Sequence, residues 1–482
     1  MFIAKPMRRS VVRARWAGAL GLLTASALLS FDATAKPIGP SVFCSINSSA
    51  PVCQGQQPAC TFCHSAPPER NAFGAAVAAA LLPGTTRPLS DEQFTMNLGA
   101  ALTAVAEADS DGDGTKNGEE INAGTLPADP LSKPRADRCP PSVRNPVYDV
   151  CFYDRKYVYK KLNLDFCGHS PSFDDLETFA ALGQAEQDTA IDDALSACLT
   201  SQNWIGKDGA VWRLAHRKIK PLQAIKSGSN AGIIPLADYD DDYNLFVYAN
   251  TGDRDVRDLL RANYFVRRTD GANTTYAQIA DLGSQSIAAD RRAGMITTKW
   301  FLVSQVMFSP LPRTAAAQAY RSYLNFDIAK LEGMYPRQNE PVDYDNRGVT
   351  ADACKNCHAT LDPLTYPFRN YDGLKRNPFG SYVNNRIERF FSGISPNIVN
   401  TPETGYVLGQ PVNNLVEWGN VAANSDQFAA AVVEDYWKLL MGEKASGEAE
   451  FVDLWRKLKT DDAYHVEAML HRLIRTEAYG VP

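Results

Sequence analysis

Two segments of this chain repeat one spacing: "CTFCH" at Cys60–His64 and "CKNCH" at Cys354–His358. Two thiols three residues apart can reach both vinyl groups on one edge of a haem. The histidine that follows then lies under the iron and offers an axial nitrogen. A zinc site needs two further ligands close by, and neither segment has them. A thioredoxin-type redox pair belongs in a βαβ context and does not want the trailing histidine. The expectation is therefore two covalent haems c. Cys60, Cys63 and His64 hold one, and Cys354, Cys357 and His358 hold the other.

Covalent haem attachment of this kind takes place outside the cytoplasm, and the N-terminus reads accordingly. Residues 1–35 open with Lys5, Arg8, Arg9, Arg13 and Arg15. An uncharged, mostly apolar run from Trp16 to Leu29 follows, and then the small-residue site Ala33-Thr34-Ala35. This is the pattern of a cleavable secretory signal, and the run is short for a bilayer span of about 20 residues. The whole chain carries −6. Removing five basic side chains and one acidic one leaves a mature chain of about −10. That charge argues against nucleic acid and anionic membrane as partners, and for a redox partner protein with a basic docking face. No later stretch is long and apolar enough to insert stably in a membrane. The expected location is the periplasm or the cell surface.

The chain has 10 cysteines, of which the haem motifs take four. The remaining six are Cys44, Cys53, Cys139, Cys151, Cys167 and Cys198, an even set that fits three bridges of undetermined pairing. All six precede residue 200. The expectation is a stapled front and a rear that holds itself by packing.

"DSDGDGTKNGEE", Asp109 to Glu120, places oxygen donors at loop positions 1, 3, 5, 7, 9 and 12. These are Asp109, Asp111, Asp113, the Thr115 carbonyl, Asn117 and Glu120, with Gly114 at the sharp turn. The pattern is that of a Ca²⁺ loop, and four carboxylates in so short a segment repel one another without a cation. Position 8, usually apolar to pair with a second loop, is Lys116. No second loop exists in the sequence, and Gly124 and Pro127 cut the exit helix short. One static structural Ca²⁺ is expected.

The sixth haem ligands are less explicit. Met96 is the only methionine near the first motif and stands in a helical segment, where a packed core role is equally open. For the second motif the candidates are Met295, Met307, Met334 and Met441. Met307, in "WFLVSQVMF", reads as core. Met441 ends a helix that starts near Ser425 and stops at Gly442. His216 is open as a distal ligand or as a polar helix residue. His169 reads as structural. His465 and His471 flank the apolar stripe Val466, Met469, Leu470, Leu473, Ile474 and read as surface or boundary residues. Pro67 or Pro68 for His64, and Pro363 or Pro367 for His358, are candidates for the carbonyl that orients each proximal ring.

Helical signals dominate, so the expected fold class is mainly α, a multi-domain arrangement with two haem modules and a helical middle. "NAFGAAVAAALL", "LGAALTAVAEA", "SFDDLETFAALGQAEQDTAIDDALSACL", "DVRDLLRANYFVRR", "AAAQAYRSYL", "FAAAVVEDYWKLLM" and "EFVDLWRKL" all read as helical. Proline-rich breaks at 127–146, 309–312 and 336–341 suggest modules at 36–135, 136–345 and 346–482, behind the signal at 1–35.

"CTFCHSAPPERNAFG" followed by "DSDGDGTKNGEE" resembles secreted temptin-like domains, over about residues 44–130. The rear, about 235–482, resembles the large exported cytochrome c families of planctomycete and myxobacterial type. The matching segments are "DLLRANYFVRR", "RRAGMITTKWF", "SPLPR", "CKNCHATLDPLTYPFRNYDGLKR" and "NSDQFAAAVVEDYWKLLMG". Here Thr365-Tyr366 replaces the usual Gly-Phe after the haem motif, and Arg369 stands where Glu is common. The resemblance implies haem c and export but no substrate. Three functions remain open: a dihaem electron carrier, a peroxidase-like dihaem oxidoreductase with one open iron, and a docking component of an envelope redox complex. No nucleophile elbow, zinc triad or phosphate loop points to other chemistry.

Overall fold

The computed structural model describes residues 38–55, 57–66, 69–130, 132, 134, 150, 153–221, 237–271, 274–282, 287–328, 361–399, 401–445 and 449–481. The expected signal, Cys139, Cys151, Met334 and the whole second motif (Cys354, Cys357, His358) lie outside the described residues. The fold is mainly α-helical, and its described strands form four separate two-stranded antiparallel ribbons.

The front segment contains α1 (Gly39–Ile46), α2 (Ala72–Ala80), α3 (Asp91–Val105) and α4 (Asn117–Ala123), with a small hairpin of β1 (His64–Ala66) and β2 (Glu69–Arg70). Local chemistry sets the helix ends. Ser90 and Gln93 form a reciprocal capping box at the start of α3, with Asp91 and Glu92 in its positive first turn. Gly124 ends α4 in the left-handed conformation, φ 83°. Phe43, Phe62 and Phe73 make an edge-to-face row at 5.2 and 5.7 Å, and with Leu98, Leu102 and Ile121 they fill a core of their own. The Cys44–Cys53 disulfide closes the front of this core.

A second core takes over from Val150 and runs to Tyr479. Its main helices are α5 (Arg155–Leu162), α6 (Phe173–Ala180), α7 (Gln184–Leu199), α8 (Ala210–Ile219), α9 (Asp240–Ala249), α10 (Arg313–Tyr323), α11 (Leu415–Ala423), α12 (Asp426–Met441), α13 (Ala449–Thr460) and α14 (Val466–Leu473). The Cys167–Cys198 bridge ties α7 to the turn after α5. Among the described residues this apolar interior takes in members from Val150 to Ile328 and from Leu364 to Tyr479. Tyr153 joins its two ends. Its hydroxyl donates to the Ile474 carbonyl at 3.0 Å, and Gly480 lies so close that a Cβ there would fall 2.2 Å from the tyrosine ring.

Several sequence expectations hold. The helix pair at 172–199 is α6 and α7, divided near Gly183, and α12 runs from its Ser425 cap to Gly442 at φ 85°. The stripe on α14 is buried at Val466, Met469, Leu470 and Leu473, with His465 and His471 half-exposed beside it. Two readings are corrected. "DVRDLLRANYFVRR" is not one helix: a single turn at Asp258–Arg261 gives way to β3 (Phe265–Thr269), which pairs with β4 (Thr275–Ile279), Phe265 opposite Ile279. Aromatic and β-branched residues at 264–266 favour that pleated pairing over helix. Met307 is not core. The chain leaves the wide turn Leu302–Val306 with Met307 at φ 48°, which leaves Met307 49% and Phe308 58% exposed.

Arginine–carboxylate pairs organise the rear. Arg386 and Asp372 have fully buried side chains and meet at 2.8 Å. Arg386 also donates to the Ser309 and Pro310 carbonyls, which holds the "SPLPR" turn. Arg313, at the start of α10, grips the buried Asp362 carboxylate with Nε and Nη2. Arg369 pairs with Glu388 of the helix Arg386–Phe391. The front segment meets this body at Gly55, where a Cβ would fall 3.0 Å from the Trp455 ring, and through Gln54 with Arg456.

Candidate functional site

The first haem motif is a short 3₁₀ turn, Cys60–Phe62, followed by His64 at the start of β1. Asn71 builds it. Its Oδ1 accepts from the Gly74 N–H at 2.8 Å, capping α2, while its Nδ2 donates to the Thr61 and Phe62 carbonyls, each at 3.1 Å. Gly74 is required sterically, since a Cβ would fall 1.8 Å from the Cys63 carbonyl oxygen. The "NAFG" segment is thus the clasp that shapes the CxxCH turn.

His64 Nδ1 lies 3.1 Å from the Glu69 carbonyl oxygen. A carbonyl only accepts, so Nδ1 carries a proton, and in the neutral ring this leaves the lone pair on Nε2. Cys63 and His64 are both half-buried. A proximal haem ligand needs this arrangement, an imidazole oriented through Nδ1 with Nε2 left for iron, and the donor set fits the group. The carbonyl that Nδ1 meets belongs to Glu69, which the β1–β2 hairpin brings back across the ring; Pro67 and Pro68 lie outside the described residues. Met96 is 75% exposed on α3, which removes the core role considered for it. Met295 is buried, Met441 half-buried, and His169 exposed. His216 Nδ1 lies 2.7 Å from the Tyr243 hydroxyl.

The acidic loop gathers one carboxylate oxygen each from Asp109, Asp111 and Asp113 within 4.8 Å. Backbone N–H groups wrap it. Gly112 and Gly114 donate to Asp109, Asp113 to Asp111, and Thr115 to Asp113. Glu120 is completely buried, and neither of its carboxylate oxygens has a hydrogen-bond partner; Thr125 reaches its backbone carbonyl instead. Burial, followed by the charges of Asp111, Asp113 and Asp109, pushes the Glu120 carboxyl up to about 8. Burial likewise raises Asp111, whereas the Gly114 N–H holds Asp109 down. A buried carboxylate facing three others without a donor is what a hard divalent cation relieves.

Asn117 is also fully buried, but its amide is committed to backbone. Oδ1 accepts from Ser110 N–H at 3.2 Å and Nδ2 donates to the Val105 carbonyl at 2.8 Å. It straps the loop to the end of α3, leaving only the second lone pair of Oδ1 for a cation. Lys116 pairs with Glu107 at 2.6 Å on the surface, in keeping with a lone loop. The exit helix α4 packs on the turn Pro51–Cys53, so the loop is joined to the disulfide. Sequence reading missed the Asn71 clasp, although an Asn three residues before a helical glycine is a cap signal.

The chain matches no family model, no curated protein and no solved structure. Among the described residues, the two disulfides fit a secreted protein, and no helix is long and apolar enough to cross a membrane.

Proposed function

We propose that the mature chain is an exported dihaem c-type cytochrome that carries electrons in the periplasm or at the cell surface, with one structural Ca²⁺ in its front module. The observation that supports this best is the His64 geometry: Nδ1 on the Glu69 carbonyl and Nε2 left to bind, directly after the second thiol of a CxxC turn. When bound, the haem supplies one-electron chemistry at iron. The chain's residues tether it (Cys60 and Cys63, Cys354 and Cys357) and orient the axial imidazoles of His64 and His358. Asp109, Asp111, Asp113, the Thr115 carbonyl, the remaining Oδ1 lone pair of Asn117 and Glu120 hold the Ca²⁺, whose charge offsets that of the loop carboxylates. The acidic mature surface favours a redox partner with a basic docking face.

The test is production with haem-maturation machinery, intact-mass measurement, and absorption and electron paramagnetic resonance spectra. Two covalent haems, both low-spin, are expected. A persistent high-spin iron that reacts with peroxide replaces the carrier with the peroxidase-like reading. A haem count other than two overturns the proposal.

A further inference from the structure

Charge is unevenly divided along this chain. Between Leu162 and Gly206 stand eight acidic side chains and no Lys or Arg. Between Arg291 and Phe326 stand five basic side chains and no acid, and from Gly373 to Pro402 four bases face Glu388 alone. On the acidic side, Phe173 opens α6 at 74% exposed, and Leu182 is exposed in the turn that leads to α7. Some of the acids are committed: Asp165 pairs with Lys161, Glu177 with Lys156, Asp188 with Arg155, and Asp188 and Asp192 with Arg475. Asp174, Asp175, Glu186 and Asp193 make no ion pair among the described residues. Asp175 and Glu186 also cap their helices, which explains their positions but not the exposed Phe173 beside them.

On the basic side, Met307 and Phe308 are the centre of a tight turn closed by Ser309 N–H on the Val306 carbonyl at 2.9 Å. Met307 has φ 48° and ψ −121°, the first central position of a type II′ turn, which glycine fills without strain. The turn is pinned. Leu374 N–H donates to the Met307 carbonyl at 2.9 Å, and a Cβ on Gly373 would fall 2.4 Å from Met307 N. A methionine held in a glycine conformation, next to an exposed phenylalanine, is strain that packing within one copy does not offset. Lys375 and Arg376 follow directly and are exposed. Lys375 Nζ lies 5.4 Å from the Phe391 ring centroid, the Phe391 carbonyl accepts from Ile394 N–H, and Ile394 is 70% exposed. Arg389 is exposed on the same short helix as Phe391. Lys375, Arg376 and Arg389 make no ion pair among the described residues, because the neighbouring carboxylates are committed, Asp372 to Arg386 and Glu388 to Arg369.

We propose that these two faces dock on each other between copies of this chain. Met307, Phe308 and Ile394 with their cationic border meet Phe173 and Leu182 with their acidic border, a contact between two different patches. One sequence holds both halves of the match, exposed apolar side chains with unpaired charge of opposite sign around them. The contact uses neither haem motif, so its failure leaves the haem count as it was.

The test is sedimentation of the full mature protein at two salt concentrations. At about 20 mM salt the weight-average mass is expected to rise by roughly half or more above the monomer, and at about 0.5 M salt to return to it. Lys375→Glu with Arg376→Glu on one face, or Asp174→Lys with Asp193→Lys on the other, is expected to remove the rise. An equal mixture of the two double variants is expected to restore it, because the exchanged charges again oppose. Met307→Gly is expected to raise Tm by relieving the turn while weakening association roughly fivefold. A wild type that stays monomeric at low salt overturns the proposal, whether or not the variants fold. So does a double variant that associates like wild type, or a mixture that stays monomeric. Binding of the basic face to anionic vesicles without self-association also overturns it.

Discussion

The front and rear of this molecule reach order by different means. The front packs a row of three phenylalanines and a few aliphatic residues, then adds a disulfide and an acidic loop that calls for a cation. The rear has a long continuous interior and can accommodate fully buried ions such as Arg386 and Asp372 within it. The contrast follows from surface-to-volume scaling: a small unit buries too little apolar area and needs staples, whereas a large one can carry the desolvation cost of a fully hydrogen-bonded pair.

The largest expected break is in the rear. Asp372→Ala leaves Arg386 buried without its partner and frees the Arg376 N–H, which Asp372 also accepts. A loss of about 3–5 kcal/mol is expected by denaturant titration, with the front melting unchanged in calorimetry. Removing the Cys167–Cys198 bridge, which spans 31 residues, is expected to lower stability by about 3.5 kcal/mol. Removing Cys44–Cys53, which spans nine, is expected to cost about 2.5 kcal/mol. The loop-length argument fails if the shorter loop matters more.

Chelation of Ca²⁺ is expected to act on the front alone. If the loop holds Ca²⁺ as proposed, a hundredfold excess over Kd contributes about 2.7 kcal/mol that EGTA or Asp111→Asn removes, read as a fall in the front's transition only. A matching fall in the rear transition merges the two regions into one cooperative unit.

A further effect has the opposite sign. Asp242 is buried in the rear core with Thr298 donating to it, and burial raises its pKa well above the ordinary carboxylate value. A group that is neutral in the fold but ionises in the unfolded chain above about pH 4 lowers stability as pH rises from there toward its folded value. Asp242→Asn removes this dependence. The variant is therefore expected to match wild type near pH 4 and to gain on it by at most about 1.4 kcal/mol per pH unit above that. Equilibrium unfolding at pH 4, 5, 6 and 7 checks the slope.

What was legible in the sequence was local. The α12 ends at Ser425 and Gly442, the α6–α7 pair and the acidic loop all depend on residues a few positions apart. What was hidden depends on partners far along the chain. Phe265–Thr269 becomes a strand only because 275–279 lies beside it, and Met307 is exposed because a left-handed turn intervenes. The Glu69 carbonyl under His64 was missed because proline was weighed without the hairpin that brings residue 69 back. At Asn117, spacing identified the position and geometry revealed the strap.

The seam at Tyr153 has a consequence for how such a chain matures. The hydroxyl that bonds the Ile474 carbonyl sits 321 residues away from it, so the large interior cannot shut until that distant stretch has arrived. The thiols of Cys354 and Cys357 belong to the interval that waits. If those thiols carry a haem as proposed, a maturation enzyme that works only on an open polypeptide has that whole interval in which to act.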